Sequence, residues 1–275
     1  MTAATVTPVP LADARQESEF GGKAVQLGAA IRAGLPVPPG FALGVRSVEA
    51  VAGDDPTATV ALRERFEELD GPVSVRSSGI GEDSEKTSFA GQHLTVLNVR
   101  TAEAALRAVG EVRDSGRSET AIAYREMLGI AGEPRIGVVV QRLVEPDTAG
   151  VLFTRHPMTG AAERVIDASW GLGEAVVGGL VAPDHFRIDP DGTVLERRAG
   201  RKGVLLRILP DGGLEQVPVG PERAAELCLD DRDLAALNGL ASACEEVYGG
   251  DQDIEWAIRS GTLALLQRRP LTAVG

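Results

Sequence analysis

The spacing of apolar residues changes along this chain, from helical in the first half to strand-like in the second. Leu27, Ala30 and Ile31 recur at the spacing of one helix face and predict a helix over residues 24–33, which Gly34 ends. Similar patterns predict helices over 60–70, 101–114, 118–128 and 221–248, the last with Pro221 in its first turn. Most of the predicted helices therefore come early.

Four short apolar runs have the composition of strands. They are PVSVRSSG (72–79), RIGVVVQRLV (135–144), AGVLFTRHP (149–157) and ERVIDASWG (163–171), with EPDT (145–148) as a turn. The Gly- and Ser-rich segment 77–92 predicts a loop, either a lid that excludes water or a plain connection. Together these elements predict a mixed α+β fold of two lobes, residues 1–132 and 133–275.

The bulk composition is that of a globular protein, and it excludes some classes of function. The chain has 275 residues, enough for two lobes around a cleft, and only 4% of them are aromatic. The formal net charge of −12 argues against a protein that binds nucleic acid by neutralising phosphates. Because no signal peptide and no apolar run of ~20 residues occur, we expect a soluble cytoplasmic protein without a membrane partner.

Neither the cysteines nor the histidines have the spacing of a metal site or of a catalytic triad. Cys228 and Cys244 are expected to be reduced, buried thiols rather than a disulfide. Of His93, His156 and His185, only His156, in TRHPMTG, is given a role, which is structural or close to phosphate.

Two basic residues stand where a phosphate group would be bound. Lys23 follows two glycines at a helix start, where free N–H groups and the helix dipole favour an anion. Arg76 ends a strand and enters the polar loop, which fits a phosphate clamp. The alternatives are a solvated lysine at an ordinary junction and a surface arginine. The segment GLGEAVVGG (171–179) lacks the spacing of a dinucleotide-binding loop and is interpreted as a turn with close backbone packing.

The closing stretch QDIEWAIRSGTLALLQRRPLT (252–272) is typical of a β-hairpin that carries polar side chains on one face. Residues two apart in a strand point the same way, so Asp253 and Glu255 share a face opposite to Ile254, Trp256 and Ile258. A three-residue loop at 260–262 would place the polar side chains in two cross-strand pairs. These pairs are Glu255 with Gln267 and Asp253 with Arg269.

The chemistry of this patch is that of a metal–phosphate site. A carboxylate and an amide oxygen suit Mg²⁺, which takes a few protein oxygens together with substrate phosphates. Arg269 suits the phosphates themselves. The alternative is a solvated hairpin face with ordinary cross-strand pairs.

Five blocks of sequence, in order, resemble the N-terminal nucleotide-binding domain of phosphoenolpyruvate synthases, pyruvate phosphate dikinases and rifampin phosphotransferases. The blocks are GGKAVQLGAAIRAGLPVPPGFAL, VSVRSSGIGEDSEKTSFAGQHLTVLNV, GVVVQRLVEPDTAGVLFTRHPMTG, IDASWGLGEAVVGGLVAPDHFRID and QDIEWAI with LLQRRPLT. The resemblance covers most of residues 20–272. It implies the ATP-grasp fold, with two lobes around a nucleotide cleft, and ATP and Mg²⁺ as cofactors.

The resemblance also implies a role for each matching residue. Mg²⁺ would be held by Glu255 and Gln267, with Asp253 in support. Phosphates of ATP would be bound, and their charge neutralised during catalysis, by Lys23, Arg76 and Arg269, with Arg155 as a further phosphate contact. The rest of the nucleotide site would be lined by Gly91 and Thr95, with Gln141 beside the adenine.

In the resembled family, ATP gives its β-phosphate to a histidine through a pyrophosphoryl intermediate, with AMP and phosphate as products. The family carries that histidine on a swivelling domain, and it has an acceptor-binding domain; neither is found in this sequence. We therefore expect a MgATP-dependent phosphotransferase that needs a partner with the histidine domain. The alternatives are a stand-alone ATP-grasp kinase or ligase for a small molecule and a non-catalytic ATP-binding module.

Overall fold

The computed structural model describes residues 6–80, 94–119, 121–122, 127, 132 and 134–271. The chain divides into two compact units, each with its own sheet and helices, and the predicted α+β class is confirmed. Unit 1 comprises residues 1–32, 38–143 and 211–213, and unit 2 comprises residues 33–37, 144–210 and 214–275. Among the described residues, no helix has both the length and the hydropathy to cross a bilayer.

Unit 1 is built on a five-stranded antiparallel sheet in the order β1-β2-β5-β3-β4. The strands are Val9–Pro10 (β1), Gly40–Leu43 (β2), Val73–Gly79 (β3), Thr95–Val99 (β4) and Ile136–Arg142 (β5). The helices are Glu17–Phe20 (α1), Gly22–Arg32 (α2), Val45–Ala52 (α3), Pro56–Glu67 (α4) and Ala102–Ser115 (α5), with a 3-10 turn at Leu11–Asp13.

Helices α3, α4 and α5 cover one face of this sheet. Val73 and Val75 of β3 point into that core, which contains Leu62 from α4 and Val109 from α5. Helix α4 starts where the Asp55 carboxylate accepts the first free N–H groups, with proline as the first helical residue. The alternate residues of β3 therefore face the other way, and these include Arg76.

The predicted division at residues 132 and 133 placed β5 in the second lobe. In the structure β5 lies between β2 and β3, hydrogen-bonded to both, and contacts assign it to unit 1, which runs to Leu143. Sequence order alone does not give this assignment, because the partners of β5 lie far away along the chain.

Unit 2 contains a six-stranded antiparallel sheet in the order β13-β12-β6-β7-β8-β9 and a separate β10-β11 ribbon. The strands are Thr148–Phe153 (β6), Arg164–Trp170 (β7), Asp184–Ile188 (β8), Val194–Arg198 (β9), Val204–Ile208 (β10), Leu214–Pro218 (β11), Gln252–Arg259 (β12) and Thr262–Pro270 (β13). The helices described are Glu174–Val177, Pro221–Ala225 and Asp231–Tyr248.

The helix Asp231–Tyr248 packs against one face of the six-stranded sheet. That face is fully buried along the row Ile254, Leu152, Ile166 and Phe186. At the row's end the Arg268 guanidinium stacks on the Tyr248 ring, 3.7 Å from its centre. Asp253, Glu255, Asp167 and His185 project from the opposite face of the sheet.

The predicted helix over 221–248 is divided in two. The chain is extended at Glu226, and the Cys228 N–H donates to the carboxylate of Asp184 at 2.7 Å. Asp184 is completely buried and also contacts the Lys202 ammonium. A buried carboxylate needs such donors, so this long-range contact interrupts the helical pattern before Asp230 caps the second helix.

The other predicted elements agree closely with the structure. The helices predicted at 24–33, 60–70 and 101–114 correspond to α2, α4 and α5, with ends shifted by one to four residues. The helix predicted at 118–128 and the loop at 77–92 lie largely outside the described residues, apart from residues 77–79, which continue β3.

Both cysteines are free and buried, as expected from the sequence. Burial raises the pKa of the Cys244 thiol to about 11 and raises that of Cys228 as well, because the thiolate loses its hydration.

We predict that the folded chain resists alkylation by iodoacetamide at pH 8, because both thiols are inaccessible and uncharged. Both cysteines should react rapidly in denaturant, as measured by intact-protein mass. Rapid double labelling of the native chain would contradict the burial of these thiols.

Candidate functional site

The hairpin β12–β13 pairs the polar residues as the sequence predicts, although the turn is different. Glu255 lies opposite Gln267, and Asp253 lies opposite Arg269. The loop has two residues rather than three, Ser260 and Gly261, both with positive φ as in the hairpin turns that match strand twist. An irregularity between Glu255 and Trp256, where Trp256 still pairs with Leu265, restores the predicted register.

Asp253 and Arg269 form the best-defined contact of the hairpin. The Arg269 Nε donates to Asp253 Oδ2 at 2.6 Å. Burial raises the pKa of the Asp253 carboxyl, while the guanidinium acts in the opposite direction. The pair therefore holds a carboxylate in a nearly dry position at the end of the patch.

Glu255 and Gln267 are both half-buried and lie one pair further along the same face. With Asp253 they offer carboxylate and amide oxygens, a donor set that fits Mg²⁺ completed by water and phosphate oxygens. In the part of the chain that the structure describes, no three His, Cys, Asp or Glu side chains cluster as a metal site. The hairpin oxygens alone would leave most of the coordination sphere of Mg²⁺ to other ligands.

Arg155 lies in the same unit, just beyond β6, the strand that pairs with β12. Its Nε donates to Asp251 Oδ2 at 2.7 Å, and its Nη1 donates to the Gly160 carbonyl. The Gln252 N–H donates to Thr154 Oγ1 and ties this segment to the start of the hairpin. Arg155 is therefore positioned near Asp253, with much of its guanidinium accessible.

In unit 1, Lys23 enters a tightly packed junction between α2 and β3. Gly21 has a positive φ, and a side chain there would meet the Ser78 carbonyl oxygen at 1.9 Å, so the approach needs glycine. The Lys23 Nζ donates to the Ser77 carbonyl at 2.6 Å, and Lys23 is 8% exposed. The ordinary solvated lysine considered as an alternative is not what the structure contains.

Arg76 points to the face of the unit 1 sheet that α3–α5 leave uncovered. It is buried, and it pairs across the sheet with Thr95 on β4 and with Val139 on β5. Gln141 lies two residues along β5 on the same face, and its amide donates to the Pro38 carbonyl at 3.1 Å. Arg76, Thr95 and Gln141 thus share one face, whereas Gly91 lies outside the described residues.

Sequence reasoning missed one contact on the polar face of the unit 2 sheet. The His185 Nδ1 lies 2.8 Å from Asp167 Oδ1, and both side chains face the same way as Glu255. Alternation within β7 and within β8 shows only which residues of each strand share a face. The pairing of the two strands must also be known before Asp167 and His185 can be placed side by side. In GLGEAVVGG, Gly171 has a positive φ and a side chain there would meet the Leu206 carbonyl oxygen at 2.5 Å, so the predicted close backbone packing is present, while Glu174–Val177 form a short helix rather than a turn.

Comparison with known proteins finds a matching family model and several named relatives. A family model described as pyruvate phosphate dikinase, AMP/ATP-binding domain, matches residues 57–275. A probable phosphoenolpyruvate synthase of Methanothermobacter thermautotrophicus is 35% identical over 93% of this chain and 44% of that protein. A rifampicin phosphotransferase of Streptomyces sviceus is 32% identical over 95% of this chain and 35% of that protein.

A third relative is named as a synthesizing transferase rather than as a phosphoenolpyruvate synthase or a phosphotransferase. The prodigiosin synthesizing transferase PigC of Serratia marcescens is 35% identical over 92% of this chain and 31% of that protein. The chain spans less than half the length of these three relatives. A solved structure, PH1788 from Pyrococcus horikoshii, covers 93% of this chain and 92% of its own at 14% identity and a TM-score of 0.46, which adds nothing to the assignment.

We predict that Arg269→Gln lowers the free energy of unfolding by about 1–3 kcal/mol at pH 7, because Asp253 loses its guanidinium partner in a buried position. The penalty should shrink as the pH falls through the raised pKa of Asp253, since the protonated carboxyl needs no cation. Urea unfolding measures both quantities. The double variant Asp253→Asn/Arg269→Gln is the control and should recover most of the loss; a single variant as stable as the parent would contradict the pairing.

Proposed function

This chain belongs to the family of pyruvate phosphate dikinase AMP/ATP-binding domains, and we propose that it binds MgATP and transfers a phosphoryl group from it. The resemblance seen in the sequence implies the ATP-grasp fold for this family. The observation that carries the proposal is the hairpin, where Glu255 and Gln267 stand opposite each other beside the Asp253–Arg269 pair.

The hairpin would hold Mg²⁺ through Glu255 and Gln267, with Asp253 in support. The metal would supply charge neutralisation at the phosphates of ATP, as in other phosphoryl transfers. Arg269 is already oriented by Asp253, so little side-chain freedom would be lost when the guanidinium binds a phosphate. Arg155 would add a further donor to the same phosphates.

Unit 1 would contribute two more cations to phosphate binding. Lys23 is held at the start of α2, where the positive end of the helix dipole also favours an anion. Arg76 is buried on the face of its sheet opposite to α3–α5, so its charge would be little screened by water. Thr95 and Gln141 share that face and are proposed to contact the rest of the nucleotide, together with Gly91.

Phosphoryl transfer depends mainly on positioning and charge neutralisation, which these residues would provide. We propose that Lys23, Arg76 and Arg269 act as the catalytic cations. The acceptor is proposed to be a histidine outside this sequence, on a swivelling domain, which takes the β-phosphate with AMP and phosphate as products. The relatives named phosphoenolpyruvate synthase and rifampicin phosphotransferase support this choice, and both are longer than this chain.

A second candidate function is favoured by the relative that is named a synthesizing transferase. In that case the chain would use MgATP to activate a small molecule directly. The two functions differ in the phosphate bond that is broken and in the need for a histidine domain, so their products separate them.

We predict that the chain forms AMP and phosphate from MgATP when a histidine domain from a phosphoenolpyruvate synthase is added, and that ³²P from the β-position of ATP becomes attached to that domain. Chromatography of the nucleotides and autoradiography of the proteins measure the two products. A histidine→Ala variant of the added domain is the control. Transfer of the terminal phosphate of ATP to a small molecule without any added domain would instead support the small-molecule function, whereas release of that phosphate to water alone would not.

We predict that Glu255→Gln loses the Mg²⁺ dependence of ATP binding, because one anionic ligand of the metal is removed.

Lys23→Ala should weaken MgATP binding about tenfold or more through the loss of a charged donor. Isothermal titration with and without EDTA measures both effects. Glu215→Gln, on the β10-β11 ribbon, is a matched control that should leave affinity unchanged, and parental affinity in both site variants would refute these assignments.

A further inference from the structure

The polar face of the unit 2 sheet carries a row of side chains that extends beyond the hairpin. Gln267, Glu255, Val151, Asp167 and His185 are direct partners across β13, β12, β6, β7 and β8. Direct partners in an antiparallel sheet project from the same face. The proposed metal ligands and the Asp167–His185 pair are therefore at two ends of one row, with a short apolar side chain between them.

The Asp167–His185 contact determines which nitrogen of the imidazole is available. An ionised carboxylate only accepts hydrogen bonds, so the proton of a neutral His185 ring lies on Nδ1, 2.8 Å from Asp167 Oδ1. The Nε2 atom then carries a lone pair. A carboxylate that orients an imidazole in this way is the arrangement of a general base.

His156 shows the opposite arrangement and serves as an internal comparison. Its Nδ1 accepts from the N–H groups of Met158 at 3.2 Å and Thr159 at 3.3 Å. The proton of its neutral ring is therefore on Nε2, which faces Glu163 at 3.9 Å. His156 stabilises a turn and has no lone pair to offer, whereas His185 does.

Asp167 and His185 are partly accessible to solvent, whereas the neighbouring row of residues on one side of them is buried. The side chains of His185 and Asp167 are 20% and 29% exposed. In the neighbouring row Ala257, Ala149 and Ser169 are fully buried, and Gly173 lies against Ala149. These burial differences place a ligand of Glu255 over Val151 toward His185 rather than over the small buried residues beside it.

The length of the row matches the reach of a phosphoryl transfer. Three strand spacings of roughly 4.8 Å separate the Cα atoms of Glu255 and His185 by about 14 Å. A metal–oxygen bond of about 2 Å, an attack distance of roughly 3 Å and a hydrogen bond of about 2.8 Å fill most of that span, together with the phosphoryl group. The two side chains then need to lean only slightly toward each other.

We propose that His185, oriented by Asp167, is a general base for an oxygen nucleophile that attacks the terminal phosphoryl group of MgATP bound at the hairpin, an inference that rests on the proposed function. In the chain by itself the nucleophile is water. A bond forms between the water oxygen and the terminal phosphorus, and the bond from that phosphorus to its bridging oxygen breaks. The electron pair stays on the nucleotide, and the water proton passes to Nε2 of His185.

The chemistry of the pair argues against a role as a phosphate ligand. Asp167 is an acceptor, and the neutral imidazole presents a second acceptor, so both would repel phosphate oxygens. Arg198, the cross-strand partner of His185, is largely exposed and paired with Glu196. The acceptors suit a hydroxyl donor, which is either the attacking nucleophile or a hydroxyl group of the ribose.

The test compares the parent chain with His185→Gln and Asp167→Asn. Binding of the magnesium complex of the non-hydrolysable analogue AMPPNP is measured by calorimetry, and phosphate release from MgATP is measured in the same buffer. In both variants the rate of phosphate release is expected to fall by about 100-fold or more. Their affinity for the analogue should stay within about twofold of the parent. Added imidazole should restore phosphate release in His185→Ala, which a purely structural role of His185 would not allow.

His156→Gln is the control and should match the parent in both affinity and phosphate release.

The outcomes separate the failure of this inference from that of the proposed function. A parent chain that binds the analogue but releases no phosphate overturns the general base alone. Variants that lose affinity rather than rate also overturn it, in favour of ribose recognition, which discrimination against 2′-deoxy-ATP would reveal. A parent chain that does not bind the analogue overturns the proposed function itself.

Discussion

The candidate site depends on the register of a single strand pair, β12 with β13. A slip of one residue would turn Gln267 and Arg269 to the face covered by the helix Asp231–Tyr248. Two local features hold the register: a two-residue turn with positive φ at Ser260 and Gly261, and the irregularity between Glu255 and Trp256. The turn alone would leave the polar residues out of phase, so the bulge is what brings Glu255 opposite Gln267.

The buried face of the same sheet makes that register costly to change. Trp256 and Ile254 are completely buried against the helix, and their alternation leaves Asp253 and Glu255 no other direction in which to point. Asp253 loses hydration as a consequence, and Arg269 offsets part of the cost. Packing on one face therefore creates pre-oriented polar groups on the other, before any ligand is present.

The sequence predicted what is local and missed what depends on distant pairing. The pairs Glu255–Gln267 and Asp253–Arg269 were predicted because alternation and a nearby turn determine them, although the error in loop length was cancelled by the bulge. The break in the helix predicted at 221–248 follows from a contact with the distant Asp184, which no pattern around Cys228 reveals. The Asp167–His185 contact was missed for the same reason, because it requires the pairing of β7 with β8.

Charge finally explains why this arrangement suits a metal–nucleotide complex better than a bare anion. The chain has a formal net charge of −12, and its hairpin presents two carboxylates to whatever binds there. A free triphosphate would be repelled by both. In the proposed function, a divalent cation between the two sets of oxygens would remove that repulsion. Lys23, Arg76 and Arg269 are each held by the fold in low-exposure or paired positions, so they would supply that charge without first being ordered by the ligand.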